Sequence, residues 1–273
     1  MYSMPENDPL KFLIEADIAL HRGAQYIALT AIAFVSPESD DSHTNIGWNA
    51  ERKRLEGRWF PSIGNEYRLT LSPSTYELIW EDRNRTTIDR FQLSGTDEKE
   101  VREWWETTAA TIGGKSLADI ELHYELPKTD SYSNPVLPSP TAEMINVWVR
   151  WRSLGQKAIS VIGALMESDV KPRVWPHHFD TGIFGQFNHS ASLGCGIAPA
   201  DSMMNEPYIY LYGWKADTYM PAPDSKLKYG KWIPQKKEGD WSGFVLSYSE
   251  TMELEISDVK LALVQASQSI IES

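Results

Sequence analysis

Residues 67–93 read YRLTLSPSTYELIWEDRNRTTIDRFQL. Tyr67, Leu69 and Leu71 alternate with Arg68 and Thr70, and Tyr76, Leu78 and Trp80 alternate with Glu77 and Ile79. A period of two, with polar turns between the pieces, predicts short antiparallel strands with one covered face. The cover is supplied by the flanks. Upstream, Asp8-Pro9 joins a capping side chain to a proline suited to the first helical turn. Leu10, Leu13, Ile14, Ile18, Ala24, Ile27, Ala28 and Ala31 then recur at helical spacing until Ser36-Pro37, with Asp17 and His21 interrupting the middle. Lys53 to Phe60 adds one more expected strand. Downstream, Thr96-Asp97-Glu98 opens a helix with acid in its first turn, striped by Val101, Trp104, Trp105, Thr108 and Ile112 and closed by Gly113-Gly114. ADIELHYELP, residues 118–127, reads as a strand.

The same order then returns. Residues 128–143, KTDSYSNPVLPSPTAE, are rich in Pro, Ser and Asn and read as a linker. Ser139-Pro140 precedes a second long helix striped by Met144, Trp148, Trp151, Ala158, Ile162 and Leu165. Extended segments follow at 173–187, 192–197 and 207–214, then a pair at 244–248 and 252–256. Ser257-Asp258 opens a last helix lined by Val259, Ala262, Leu263, Ala266 and Ile270. The expected fold is α+β: two similar halves of helix plus antiparallel sheet, an internal duplication. The expected boundaries are 1–127 for the first half, 128–143 for the linker and 144–273 for the second half, which carries the candidate site.

The 273 residues suffice for one large domain or two ordinary ones, and 41% of them are apolar. The 11 tryptophans and 12 tyrosines cannot all be exposed without a sticky surface, so many fill a core or line a pocket. A net charge of -12 disfavours nucleic acid and anionic membrane as partners. One cysteine, Cys195, excludes an intrachain disulfide and points to a reducing compartment. The first residues, MYSMPENDPLKF, do not read as a signal peptide, and no run of 18 apolar residues suggests a membrane helix. A cytoplasmic location is expected.

Candidate chemistry centres on KPRVWPHHFDTGIFG, residues 171–185. If residues 173–187 are extended, His177 lies on the more apolar face and reads as a core-edge or ligand-facing histidine. His178 and Asp180 share the other face, roughly 7 Å apart, within reach of one small object. The pair suits acid–base work, with the carboxylate fixing the imidazole tautomer. It equally suits two ligands of a metal with His189 as a third, or a structural hydrogen bond. Cys195, between Gly194 and Gly196, is a further candidate ligand-binding residue, although a lone buried cysteine most often acts as a small hydrophobe. EPYIYLYGW puts Tyr208, Tyr210, Tyr212 and Trp214 on one strand face, either packed beneath a helix or open as a binding wall.

No dinucleotide-binding glycine loop, phosphate-binding loop or GxSxG elbow is present. LHRGAQYIALTAIAF, residues 20–34, the 67–93 segment and a Trp-rich helix, followed by HHFD (177–180), LGCG (193–196) and EPYIYLYGW (206–214), resemble an uncharacterised bacterial domain family of unknown function (DUF5996-like). The resemblance implies that His178, Phe179, Asp180, Cys195 and Tyr210 belong together, and it implies no activity. Three classes of function follow: a cytosolic small-molecule binder or acid–base enzyme, a metal-dependent hydrolase, and a non-catalytic interaction protein. Cofactor and oligomeric state are left unspecified by the sequence.

Overall fold

The structure, a computed structural model, describes residues 8–62, 64–167 and 170–273. Helix α1 (Pro9–Phe34) begins where the Asp8 carboxylate accepts the Leu10 N–H at 2.9 Å. A 3-10 turn (Ser42–Thr44) follows. Then come β1 (Gly47–Asn49), β2 (Arg54–Glu56), β3 (Phe60–Ser62), β4 (Asn65–Ser72), β5 (Glu77–Asp82) and β6 (Thr87–Gln92). These strands form an antiparallel sheet of order β1-β2-β4-β5-β6, with β3 beside β4. Leu69 opposes Trp80 and Leu71 opposes Leu78, so the apolar side chains of the opening stretch line up across strands. All four are fully buried, and Leu71 closes against α1. The Tyr76 hydroxyl donates to the Ala19 carbonyl at 2.7 Å, fixing α1 over that face. Helix α2 (Glu98–Gly113) joins the same layer, its Trp105 indole donating to Thr30 Oγ1 at 2.9 Å.

The chain continues through α3 (Asp130–Ser133), α4 (Ala142–Gly163) and β7 (Arg173–Trp175). A second antiparallel sheet uses β8 (Asp180–Asn188), β9 (Ala191–Ala198), β10 (Tyr208–Lys215), β11 (Thr218–Tyr219), β12 (Lys231–Ile233) and β13 (Gly243–Ser247). These strands run in the order β12-β13-β10-β9-β8, with β11 beside β10. Helices α5 (Tyr248–Met252) and α6 (Ile256–Ile271) complete the chain. Ile197 of β9 closes on Gly155 of α4, and Ile270 of α6 closes on Gly213 of β10. The fold is α+β with two similar halves, consistent with internal duplication. Each half is a long helix, a four-strand meander and a closing helix: β2-β4-β5-β6 then α2, and β8-β9-β10-β13 then α6. Short strands are inserted differently, β3 in the first half and β11 and β12 in the second.

Two compact units partition the chain, residues 1–149 with 174–179 and residues 150–173 with 180–273. The segment expected as a linker, 128–143, belongs wholly to the first unit and contains α3. Arg22 of α1 holds it. Its guanidinium donates to the carbonyls of Ser131, Asn134 and Val136 and twice to Glu98 Oε1, so all five N–H groups are engaged.

Several local expectations are corrected. Residues 118–127 form no strand. Their alternation is real, since Leu122, Tyr124 and Leu126 are half-buried between exposed neighbours, but it records which side meets the protein and not a ladder partner. Residues 173–187 are not one strand, because Pro176 to Phe179 form a turn with Phe179 at φ 57°. Lys53 to Phe60 splits into β2 and the start of β3. The strand expected at 252–256 is absent: residues 248–252 are helical, since the Ser247 hydroxyl caps α5 by accepting the Glu250 N–H, and α6 already begins at Ile256. Leu165 lies beyond α4 and is exposed. Among the described residues, no helix is long and apolar enough to cross a membrane.

Candidate functional site: an aromatic sheet face in the second unit

Alternation along β10 sends Ile209 and Leu211 toward α4 and α6 and leaves Tyr208, Tyr210, Tyr212 and Trp214 on the opposite face. Antiparallel register then decides what lies beside the rings. Tyr210 opposes Gly196 and Tyr212 opposes Gly194 on β9, and Gly196 in turn opposes Gly182 on β8. A Cβ at Gly194 would sit 2.1 Å from Tyr212 Cζ, and one at Gly196 would sit 2.4 Å from Tyr210 Cζ. The rings therefore lean across the sheet into space that only glycine leaves open.

That lean carries the Tyr210 hydroxyl over β9 to β8, where it donates to Asp180 Oδ2 at 2.6 Å. The Tyr208 hydroxyl donates to Asp201 Oδ2 at 2.8 Å, and Asp201 Oδ1 accepts the backbone N–H of Met203 and Met204. Burial first, then the adjacent Asp180 charge and the hydrogen bond to it, push the Tyr210 phenol well above its ordinary range. Burial and Asp201 do the same for Tyr208. Both phenols stay protonated across the physiological range and keep their hydrogens on carboxylates.

Other rings complete the surface. Tyr210 and Tyr212 lie 6.2 Å apart and nearly parallel. Tyr219 and Trp241 approach Tyr212 steeply, at 5.2 Å and 73° and at 6.4 Å and 70°. Phe184 of β8 lies 6.4 Å from Tyr212 and is 51% exposed. Tyr208 is buried with Ala198 and Val245 under Met204 and Trp241, whereas Tyr210, Tyr212 and Trp214 are half-buried. The surface offers apolar area, electron-rich ring faces and two carboxylates.

The remaining sequence candidates fall elsewhere. His178 lies exposed in the 176–179 turn of the first unit, 4.4 Å from the His177 ring, and Asp180 begins β8 in the second. The turn resets the alternation, so the shared strand face expected of His178 and Asp180 does not exist. His177 is half-buried against Tyr124 and Trp175, at 5.8 and 6.2 Å. His189 is exposed in the turn after β8, nine residues or roughly 30 Å along an extended strand from Asp180. Among the described residues, no three His, Cys, Asp or Glu side chains gather in a way that could hold a metal, so the set His178, Asp180 and His189 is not assembled. Cys195 opposes Leu211 and Ile183, on the face away from the tyrosines. It is fully buried, and burial raises its thiol far above the ordinary value, which suits packing.

Sequence reasoning passed over a buried polar stripe on α1: Asp17, His21 and Gln25, four residues apart and each at most 5% exposed. Trp148 Nε1 donates to Asp17 Oδ1 at 2.7 Å, and the Tyr124 hydroxyl donates to Gln25 Oε1 at 2.7 Å. The i, i+4, i+8 spacing was the available signal. A separate concavity in the first unit, between α1 and residues 131–144, is lined by Glu15, Ile18, Arg22, Val136, Pro138 and Met144. Its one guanidinium is committed to Glu98 and the three carbonyls described above, so it has no N–H left for a ligand. No family model, no curated protein and no solved structure matches this chain.

Proposed function

We propose that the chain is a cytoplasmic small-molecule-binding protein whose site is the aromatic face of the second sheet, opposite the face that α4 and α6 pack on. The Tyr210–Asp180 hydrogen bond carries the reading: a directional polar pair set among half-buried rings on the face opposite α4 and α6. Rings desolvate the body of a ligand, and the carboxylate orients it. The glycine positions support this reading, because three glycines on adjacent strands hold the rings in one arrangement at little steric cost. This reading keeps the face that EPYIYLYGW suggested, takes Asp180 as its polar element, and leaves out His178, which is not on the same strand face.

A library of small amines, sugars and neutral aromatics, screened by aromatic-region NMR on the full chain, tests the proposal. Ligands should shift Tyr210 and Tyr212 resonances, and Tyr212→Ala should abolish those shifts while leaving the circular dichroism unchanged. Ligands that shift only first-unit residues, or shifts that survive Tyr212→Ala, would refute it. Rings silent to every small compound but perturbed by a protein partner would make this an interaction surface instead.

A further inference from the structure

One end of the aromatic face is open to solvent and uncharged, and that combination points to a ligand class. Along β8, Phe184, Gln186 and Asn188 are exposed, whereas Thr181 and Ile183, on the opposite face, are buried. Antiparallel register sorts this end into two rows across β8, β9 and β10. Phe184 faces Gly194, which faces Tyr212. Two residues on, Gln186 faces Ser192, which faces Trp214. The rows lie about 7 Å apart, and each crosses three strands, about 10 Å. The first row is aromatic: Gly194 leaves room for the Tyr212 ring to lean across β9, where it meets Phe184 at 6.4 Å and 28° from parallel. The second row is polar and neutral, with an amide, a hydroxyl and an indole whose ring meets Tyr219 at 4.9 Å, nearly perpendicular.

The polar groups at this end are unspent. Among the described residues, none hydrogen-bonds the Gln186 amide, the Ser192 hydroxyl, the Trp214 indole N–H or the Tyr212 hydroxyl. Burial raises the Tyr212 phenol above its ordinary range, so it stays a neutral hydroxyl. The first sheet is different on the face away from α1, where a charge layer satisfies itself. Arg68 donates to Glu81 Oε1 at 2.7 Å and to Glu56 Oε2 at 2.8 Å, and Arg52 donates to Glu81 Oε2 at 2.7 Å and to Glu56 Oε1 at 2.8 Å. In the open rows of the second sheet, amide and hydroxyl groups both donate and accept, and the indole donates. A ligand that answers them carries several neighbouring hydroxyls. A ligand that covers Phe184 and Tyr212 also carries an apolar patch. A pyranose sugar combines the two, with C–H groups on the face of its ring and hydroxyls around its rim. A net charge of -12 disfavours anionic sugars.

We propose that the open end of the aromatic face binds a neutral carbohydrate, one pyranose unit stacked on Phe184 and Tyr212 with its hydroxyls on Gln186, Ser192 and Trp214. This rests on the reading of that face as a binding site and narrows it to these two rows. The rings take the apolar side of the sugar out of water, and the polar row replaces the water that its hydroxyls give up. A flat aromatic compound would leave the polar row without partners, and an open-chain polyol would leave the rings uncovered.

Maltotetraose, cellotetraose and mannotetraose are the probes, each titrated into the full chain by NMR. The controls are p-cresol, a ring without an array of hydroxyls, and sorbitol, an array of hydroxyls without a ring. At least one tetrasaccharide should shift the Gln186 side-chain amide and the Trp214 indole proton and bind at least about tenfold more tightly than either control. Phe184→Ala and Gln186→Ala, both at exposed positions, should each weaken that binding several-fold while circular dichroism stays unchanged. Saccharide binding that survives both substitutions, or controls that bind as tightly as the saccharides, would overturn the assignment. A shift of Tyr212 by p-cresol with none by any saccharide would overturn the carbohydrate and leave the binding face standing. No shift of Tyr212 or Trp214 by any probe or control overturns the assignment; only loss of every ligand in the wider screen would overturn the face as well.

Discussion

His21 Nε2 lies 2.7 Å from the carbonyl oxygen of Pro176, 155 residues away in the chain. A carbonyl only accepts, so Nε2 carries the proton, and Nδ1, 2.6 Å from the Tyr132 hydroxyl, accepts from it in the neutral ring. Gln25 Nε2 donates to the same carbonyl at 3.0 Å, and the Phe179 ring stacks on His21 at 5.0 Å. The turn that breaks the 173–187 segment is therefore held by α1. Its departure from a strand is specified by side chains on a distant helix.

His21 should appear as the Nε2–H tautomer in long-range proton–nitrogen spectra of the native protein at neutral pH. His21→Ala should cost about 2 kcal/mol in chemical denaturation, because the hydroxyl of half-buried Tyr132 loses its acceptor and a buried, stacked ring is removed. A protonated Nδ1 with a bare Nε2, or a variant as stable as the parent, would contradict the assignment.

The glycines under the tyrosines are not equivalent. The atoms nearest a methyl group at Gly194 all belong to the far end of the Tyr212 side chain, whereas one at Gly196 also meets the Thr181 carbonyl oxygen at 2.5 Å, and backbone cannot rotate away. Gly196→Ala should destabilise by about 3 kcal/mol and displace the Tyr210 hydroxyl from Asp180. Gly194→Ala should cost about 1 kcal/mol, with Tyr212 swinging outward. Equilibrium urea unfolding ranks the two, and the reverse order would mean that the rings do not lie where the register puts them.

Cys195 should resist alkylation by iodoacetamide in the native protein and react only on unfolding, so that its labelling rate follows global stability. The cause is complete burial on the helix-facing side of β9. Fast labelling of folded protein would return the thiol to the list of reactive groups.

Much of this fold is legible because its helices and its buried strands repeat faithfully. Asp8-Pro9 starts α1, Gly114 at φ 69° ends α2, and the β4–β5 alternation survives as cross-strand pairs. EPYIYLYGW likewise sorts its rings from its aliphatics as read. What failed was parity through WPHHFD. A strand assignment carries a side chain to a known face only while the backbone stays extended, and a non-glycine residue at positive φ announces itself in no sequence pattern. Asp17 and His21 looked like interruptions of a core helix, and Gln25 drew no attention, because their partners, Trp148, Tyr132 and Pro176, come from more than a hundred residues downstream. The Tyr210–Asp180 pair needs the register of three strands, which alternation alone does not supply.

The first unit's charge layer should show itself as an acid-sensitive increment of stability. Glu81 is 1% exposed, and burial alone would raise its carboxyl. Hydrogen bonds from Arg52 and Arg68, and the charges of both, overcome that burial and hold it below its ordinary 4.5. A carboxylate with a depressed value in the folded state favours folding fully above the unfolded value. Below 4.5 the unfolded chain takes up the proton first, so the contribution declines, and it vanishes as pH falls through the folded value. Glu81→Gln should therefore cost about 3 kcal/mol at neutral pH, since it strands two arginines beside Glu56 alone. Urea unfolding of parent and variant, followed from neutral pH to about pH 3, should show that gap constant above 4.5 and narrowing below it. A gap that stayed the same over the whole range would mean that Glu81 gains nothing from its arginines beyond neutral hydrogen bonding.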